Sequence, residues 1–545
     1  MRERISASEF IYKIIPFCVI VFFVILNIMQ HDFAYAFNSD PLEISNPYYI
    51  SRHINISTNS SEIALLSADI DNYPGSEIIS CTFKQGEISY LRVYKYNSTT
   101  ESFQKISQYA SLSDFRHLNE IDVDVDNKSE LINTHPNSII IKYENGEIIP
   151  DFSSFEFDRY SLPTIGDLNA DGYYDIVVGA SSQDGFHIAL NNKNGTFSSD
   201  VWDEDLPRYK PLPNGEVYNV NQGYELVDLN NDGWLDICSP MGNCRSSWNT
   251  GPSLYYNWVS NGNGSWRAFS NNYPEYVWGK DLHADDFDDD GDIDVIFRNG
   301  DTDKRYLMEN INGKKFERRS FPVVVEEDDI VMDFNNDGYP DIITTNYTET
   351  ELKIGDKSLF DNHINVAYGD GNWNWDVKDS YRILLTGTID TFLPSDVDWD
   401  GDLDFIVNYD NGIACVFNDK MNSNNLSFVK SIKSPHVRSG SVRSIKWIAN
   451  VKDDPSKINF NLSISYTGEN GRYHPLQTNL QRFHTNLMIP DVPTREAYMK
   501  LEWNGTNVTS GPYVIHPSND KMVLVEPTFP SKGDCLMGGE EMELR

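Results

Sequence analysis

The sequence is poor in basic residues: 44 lysines and arginines stand against 82 aspartates and glutamates, a net charge of −38. That balance argues against a nucleic-acid binder, which needs a basic footprint over the phosphates. Cysteine is scarce as well, six in 545 residues, of which Cys81, Cys238, Cys244, Cys415 and Cys535 lie beyond the first 36. An odd count in no regular spacing excludes a disulfide framework; Cys238 and Cys244 bracket a loop, and either pair or stay separate thiols. Apolar runs long enough to approach a membrane span are missing, except for the one from Ile14 to Ile28. The common chemistry-bearing motifs are missing too. There is no Gly-x-Ser-x-Gly elbow, no His-Glu-x-x-His and no Gly-rich phosphate loop ahead of a helix, and the eleven histidines show no ligand spacing. Serine-hydrolase, zincin and nucleotide sites therefore have no support, and no catalytic residue is assigned. Acidic pairs are so abundant that a glycosidase pair stays open.

The amino terminus reads as a targeting segment. Arg2, Arg4 and Lys13 precede the apolar run and Ala34-Tyr35-Ala36 offers a cleavage site, so residues 1–36 are expected to be a signal peptide. The alternative is an uncleaved anchor, and only that alternative attaches the chain to a membrane. Either way, a secreted or cell-surface protein is expected.

What the sequence has in quantity is carboxylate in a fixed pattern. In Asp286-Phe287-Asp288-Asp289-Asp290-Gly291-Asp292-Ile293-Asp294, positions 1, 3, 5 and 9 are acidic and position 6 is glycine. Four carboxylates on one short loop repel each other unless a cation sits among them. Glycine at position 6 permits the sharp turn, position 7 is left to offer a backbone carbonyl, and the oxygen-only donor set points to calcium. An EF-hand would need Glu at position 12 and flanking helices; position 12 is Phe297, at the end of a Val-Ile-Phe run of strand composition.

The pattern repeats. Complete copies are Asp167-Asn169-Asp171-Gly172-Asp175, Asp228-Asn230-Asp232-Gly233-Asp236, Asp333-Asn335-Asp337-Gly338-Asp341 and Asp396-Asp398-Asp400-Gly401-Asp404. A further copy, Asp122-Asp124-Asp126-Asn127-Glu130, replaces the glycine by asparagine, and a degenerate one, Asp69-Asp71-Glu77, has Tyr73 at position 5. The first aspartates fall at 69, 122, 167, 228, 286, 333 and 396, so seven units of irregular length follow, each with room for a four-stranded blade. At these residues the chain resembles the FG-GAP/VCBS repeat family over roughly residues 60–430, a family that includes the integrin α propeller. The resemblance implies an all-β, seven-bladed β-propeller with calcium in the loop between the first two strands of a blade. The segment Ile44 to Ile56 is the candidate for closing the ring.

The loops stop after residue 430, and short alternating runs such as Ile458 to Ile464 predict a separate small β-sandwich. The expected organisation is a signal peptide at 1–36, a propeller at 37–430, a sandwich at 431–530 and a disordered tail at 531–545. Met499 to Gly505 and Lys521 to Pro527 resemble the end of an ASPIC/UnbV-type module. The longest connections, Asp203 to Gln222, Ser239 to Ser253 and Thr345 to Asn362, read as loops on the face away from the metal sites. They and their neighbours carry Tyr209, Tyr218, Trp248, Trp278 and Tyr347, candidates for holding a protein or carbohydrate ligand, or else packed between blades. The expected function is a calcium-stiffened binding or adhesion module, with a calcium-dependent polysaccharide-active enzyme as the alternative.

Overall fold

Short runs of β-branched and aromatic residues, punctuated by Asp, Asn and Gly, form strands joined by tight turns, and no helix occurs among the described residues. The computed structural model describes residues 51–518 except 59–61, 72–75, 83–87, 112–117, 134–138, 145, 152–162, 180–185, 199–223, 239–257, 261–265, 269–278, 300–303, 321–328, 355, 410–411, 419–425, 431 and 452–457. The proposed signal peptide, the tail 531–545 and four of the aromatic candidates, Tyr209, Tyr218, Trp248 and Trp278, lie outside the described residues.

Seven small antiparallel sheets follow one another along the chain. Their first strands are Glu62–Ala68, Leu118–Ile121, Pro163–Gly166, Glu225–Val227, Gly279–Asp285, Asp329–Met332 and Ile389–Ser395. Their second strands are Glu77–Thr82, Glu130–Asn133, Asp175–Gly179, Asp236–Cys238, Asp294–Asn299, Asp341–Ile354 and Asp404–Tyr409, each opening on the last carboxylate of the acidic pattern. Where these second strands leave the loops they are buried because both faces are covered: Asp404–Tyr409 is buried at every residue and Glu130–Asn133 likewise, whereas Asp341–Ile354 is buried only at its first three residues. Such strands read as continuous apolar runs rather than as alternation.

The cover comes from the neighbouring sheets. One apolar cluster joins Ile79 and Leu91 of the first sheet to Leu131 and Ile141 of the second. Others join the second to the third, the third to the fourth, the fourth to the fifth, the fifth to the sixth and the sixth to the seventh. A further cluster sets Ile78 and Tyr94 of the first sheet against Ile406 and Phe417 of the seventh. The first strands of the first and seventh sheets lie side by side, with a hydrogen bond of 3.0 Å between the hydroxyls of Ser67 and Ser395. The first strand among the described residues, His53–Thr58, is the fourth strand of the seventh sheet, paired antiparallel with Gly412–Val416.

Two departures from the sequence reading matter for function. Thr345 to Asn362 is no loop: Asp341–Ile354 and Lys357–Gly369 run on as a hairpin, paired from Ile342↔Ala367 out to Ile354↔Lys357, with Trp375–Leu385 paired alongside as far as Phe360↔Leu385. The run Thr-Asn-Tyr-Thr-Glu-Thr-Glu alternates polar residues on both faces, so it looks like a loop in composition, yet backbone pairing alone suffices once one end is anchored. The second departure concerns Leu426–Lys430, placed with the repeats from sequence. It pairs with Val442–Ala449, and with His484–Met488 these make a three-stranded sheet. That sheet shares one core with a five-stranded sheet of His436–Arg438, Thr506–His516, Thr494–Trp503, Phe460–Ser465 and Tyr473–Leu480. Trp447, Phe460 and Trp503 fill the space between the two.

Candidate metal centres

Each acidic loop joins the first strand of its sheet to the second, so all seven emerge at the same end of their sheets. Within a loop the backbone folds onto the carboxylate at position 1. Oδ2 of Asp167, Asp228, Asp286 and Asp333 accepts the N–H of the glycine five residues on, at 2.6–2.9 Å. Oδ1 of the same residues accepts the N–H of position 5 at 3.1–3.2 Å. Asp122 does the same with Asn127 in the glycine's place, at φ +65°.

The turn uses two left-handed residues, of which sequence reasoning found one. Position 6 is left-handed in every complete copy, Gly291 for example at φ +91°. Position 4 is left-handed as well, although it is occupied by Val125, Ala170, Asn231, Asp289, Asn336 or Trp399 at φ +52° to +63°. A β-branched or indole side chain gains nothing there by itself, so the loop's hydrogen bonds impose the conformation. No compositional signal marks the position.

Position 9 is an anchor as much as a ligand. Asp175, Asp236, Asp294, Asp341 and Asp404 accept the N–H of position 2 at 2.8–3.2 Å on one oxygen. On the other oxygen they accept an N–H from the third strand or from the second residue beyond it, at 2.7–3.0 Å. All five are buried, and except for Oδ2 of Asp341, which also accepts Asn335 N at 3.2 Å, each oxygen keeps one lone pair for a further partner.

These carboxylates are strongly deprived of water. Burial pushes Asp286 up to about 7 and Asp294 up to about 9, with neighbouring carboxylates adding to it. Burial together with Asp404, Asp400 and Asp398 also holds Asp396 well above the usual range. Oδ1 of Asp288 and Oδ1 of Asp396 are buried and accept no hydrogen bond. Asp69, Asp71 and Glu77 bring oxygens within 4.8 Å of one another, as do Asp122, Asp124 and Glu130, Asp286, Asp288 and Asp290, and Asp396, Asp398 and Asp404. The third, fourth and sixth loops place Asn169, Asn230 and Asn335 at position 3, beside Asp171, Asp232 and Asp337 at position 5, so each has one carboxylate fewer. A hard cation that takes oxygen ligands fits this donor set and would supply the charge that burial withholds.

The carboxy-terminal sheets sit on these loops, a contact that no local pattern announces. Val442 N donates to Oδ2 of Asp167 (2.9 Å), Asn486 Nδ2 to Oδ2 of Asp122 (2.6 Å) and Asn486 N to Oδ1 of Asn127 (2.9 Å). Arg438 donates to the Asp232 carbonyl (2.6 Å) while its guanidinium lies over Trp234, and Val451 N donates to the Trp399 carbonyl (3.0 Å). A Cβ added at Gly233 would stand 3.1 Å from the Val437 backbone, and one at Gly401 2.8 Å from Asn450 N; at Gly291 and Gly338 it would meet nothing within 4 Å. The fifth and sixth loops are thus uncovered at their glycines, and Asp290 and Asp337 are exposed.

Of the aromatic candidates, Tyr347 is described: it lies on the sixth-sheet hairpin, 57% exposed, edge-on to Phe360. Trp373 and Trp375, in a connection of that sheet, pack instead against Phe287 of the fifth loop. Cys81, Cys238 and Cys415 are buried, and Cys244 lies outside the described residues.

No curated protein matches the chain. Among solved structures it is similar to an Agrocybe aegerita lectin whose structure concerns recognition of non-reducing terminal N-acetylglucosamine, at 14% identity and TM-score 0.35 over 60% of this chain and 86% of that one. It is similar to BBS1N, solved in complex with ARL6DN, at 10% identity and TM-score 0.38 over 69% of this chain and 98% of that one. It is also similar to the Photorhabdus luminescens Tc holotoxin pore, at 11% identity and TM-score 0.33, over 79% of this chain but 22% of that one. Residues 167–239, which hold the third and fourth loops, match the model of an FG-GAP-like repeat.

Proposed function

We propose that the chain is a secreted or cell-surface ligand-binding module: a seven-bladed β-propeller of the FG-GAP/VCBS kind, stiffened by calcium and followed by a small β-sandwich similar to the ASPIC/UnbV type. The observation that carries the architecture is the unbroken series of apolar clusters between consecutive sheets, the last of which returns to the first. The strand His53–Thr58 then closes the seventh blade from the other end of the chain, leaving only short edges. Calcium is supported by five acidic loops that share one hydrogen-bonded frame, and by the fifth and seventh loops, where buried carboxylate oxygens lack a donor.

The covered loop end moves the binding surface to the opposite end, where second strands turn into third strands. There Asp341–Ile354 of the sixth blade runs roughly 25 Å beyond the other described second strands, taking about 3.3 Å per residue. It carries Tyr347, Leu352 and Ile354 exposed. Exposed aromatics and aliphatics on a rigid arm suit a protein partner, and an aromatic face suits a sugar ring. In this reading the carboxylates are structural and the chain performs no chemistry.

The experiment is a glycan and surface-protein binding screen of the secreted chain, run beside a polysaccharide turnover screen, each with calcium and with chelator. Calcium-dependent binding weakened by Tyr347→Ala supports the proposal. Turnover abolished by one acidic substitution outside the loops would replace it with the enzyme reading.

A further inference from the structure

The first loop differs from the others in what faces it. Its ligand positions are Asp69, Asp71 and Glu77, and Lys95, on the third strand Ser89–Asn97, places Nζ 2.9 Å from Oδ2 of Asp71 and 2.8 Å from Oε1 of Glu77. The Glu77 side chain is fully buried and that of Asp71 is 11% exposed, so the ammonium and two carboxylates meet largely out of water. The pairing Ile78↔Tyr94 sets Lys95 directly across from Glu77, the position-9 residue.

The same register gives the residue across from position 9 in the other sheets. It is Lys142 in the second, Leu190 in the third, Glu309 in the fifth, Tyr368 in the sixth and Phe417 in the seventh. Lys142 Nζ stands 4.0 Å from Glu130, beyond hydrogen-bond reach. Glu309 adds an acid beside the fifth loop and is held by Arg319 at 2.6 and 2.7 Å. One position on the third strand therefore presents a cation, nothing charged, or an extra anion to the acidic loop beside it.

We propose that the ammonium of Lys95 is the resident cation of the first loop, holding Asp71 and Glu77 in the arrangement that calcium imposes elsewhere, so that this blade is stiffened without metal. This rests on the calcium reading of the other loops. A single fixed positive charge, hydrogen-bonded to Asp71 and ion-paired with Glu77, replaces the divalent ion, which the missing acid at position 5 would in any case hold weakly. The first blade, which meets the seventh at the closing seam, then stays formed when calcium is scarce.

Thermal unfolding of the full chain in millimolar calcium and in excess EDTA tests this. Asp71→Asn is expected to lower Tm by roughly 2 °C in both solutions. Asp288→Asn, in the fifth loop, should lower it in calcium and not in EDTA. In equilibrium dialysis with radioactive calcium at millimolar concentration, Lys95→Met should gain one weak site that the parent chain lacks. An Asp71→Asn loss that disappears in EDTA, or no loss in either solution, overturns the assignment. A parent chain that binds no calcium, with Asp288→Asn acting equally in both solutions, would instead overturn the calcium reading and leave the Lys95 contacts standing.

Discussion

Asn486 ties the carboxy-terminal sheets to two loops at once, and its removal gives the sharpest test of that contact. Its Nδ2 donates to Asp122, its Oδ1 accepts the hydroxyl of Tyr174 at 2.7 Å, and both Asn486 and Tyr174 are buried. Asn486→Ala leaves the Tyr174 hydroxyl without an acceptor and takes one donor from a buried carboxylate. A buried unsatisfied hydroxyl costs about 1–3 kcal/mol and a charge-assisted hydrogen bond contributes about 1.5–3 kcal/mol, so a loss of roughly 3 kcal/mol is expected. Hydrogen exchange read by mass spectrometry reports it locally. The amides of residue 486 and of Val442, which donate to Asn127 and Asp167, should exchange roughly 100-fold faster, since 1.4 kcal/mol is a factor of ten. The fifth sheet, remote from this contact, should keep its protection. Tyr174→Phe alone should cost about 1 kcal/mol, and the pair should be coupled. Unchanged exchange at 442 and 486, a uniform rise over all sheets, or strict additivity would refute the docking of these sheets on the second and third loops.

Calcium and protons should oppose each other. A carboxyl whose folded pKa is raised contributes stability that is complete below its unfolded pKa and is lost as pH climbs through the folded one. With Glu130 and Asp286 held up at about 7 and Asp175 at about 8 by burial, Tm in EDTA should fall as pH rises. The window for that fall is about pH 4 to 8. Since the ion needs ionised ligands, calcium should cancel or reverse the fall, and its affinity should weaken as pH is lowered, which titration calorimetry would read. Gly291→Ala meets open space and should cost about 1 kcal/mol for its positive φ, whereas Gly233→Ala also presses on Val437 and should cost more, seen as the larger drop in urea midpoint. Deleting residues 51–58 should expose the edge of Gly412–Val416 and produce concentration-dependent association in sedimentation, since an unpaired strand recruits a partner.

The sequence by itself determined what nine consecutive residues settle among themselves. The loop's carboxylates, its turn at position 6 and the strand that follows are local, so Asp286 to Asp294 could be read off in order and recognised again at 167, 228, 333 and 396. The strand composition of the repeats follows from the same short-range chemistry. Contacts between residues far apart in the chain, by contrast, leave no periodic trace. The sequence offered Ile44 to Ile56 as a closing segment, but only the tertiary structure decided that the strand is His53–Thr58 and pairs beside Gly412–Val416, and that Leu426–Lys430 belongs with the carboxy-terminal sheets. The same holds for Asn486 reaching Asp122 and Lys95 reaching Asp71 and Glu77. Each of these depends on which surfaces remain uncovered once every sheet has formed, and that is a property of the packed assembly rather than of any stretch within it.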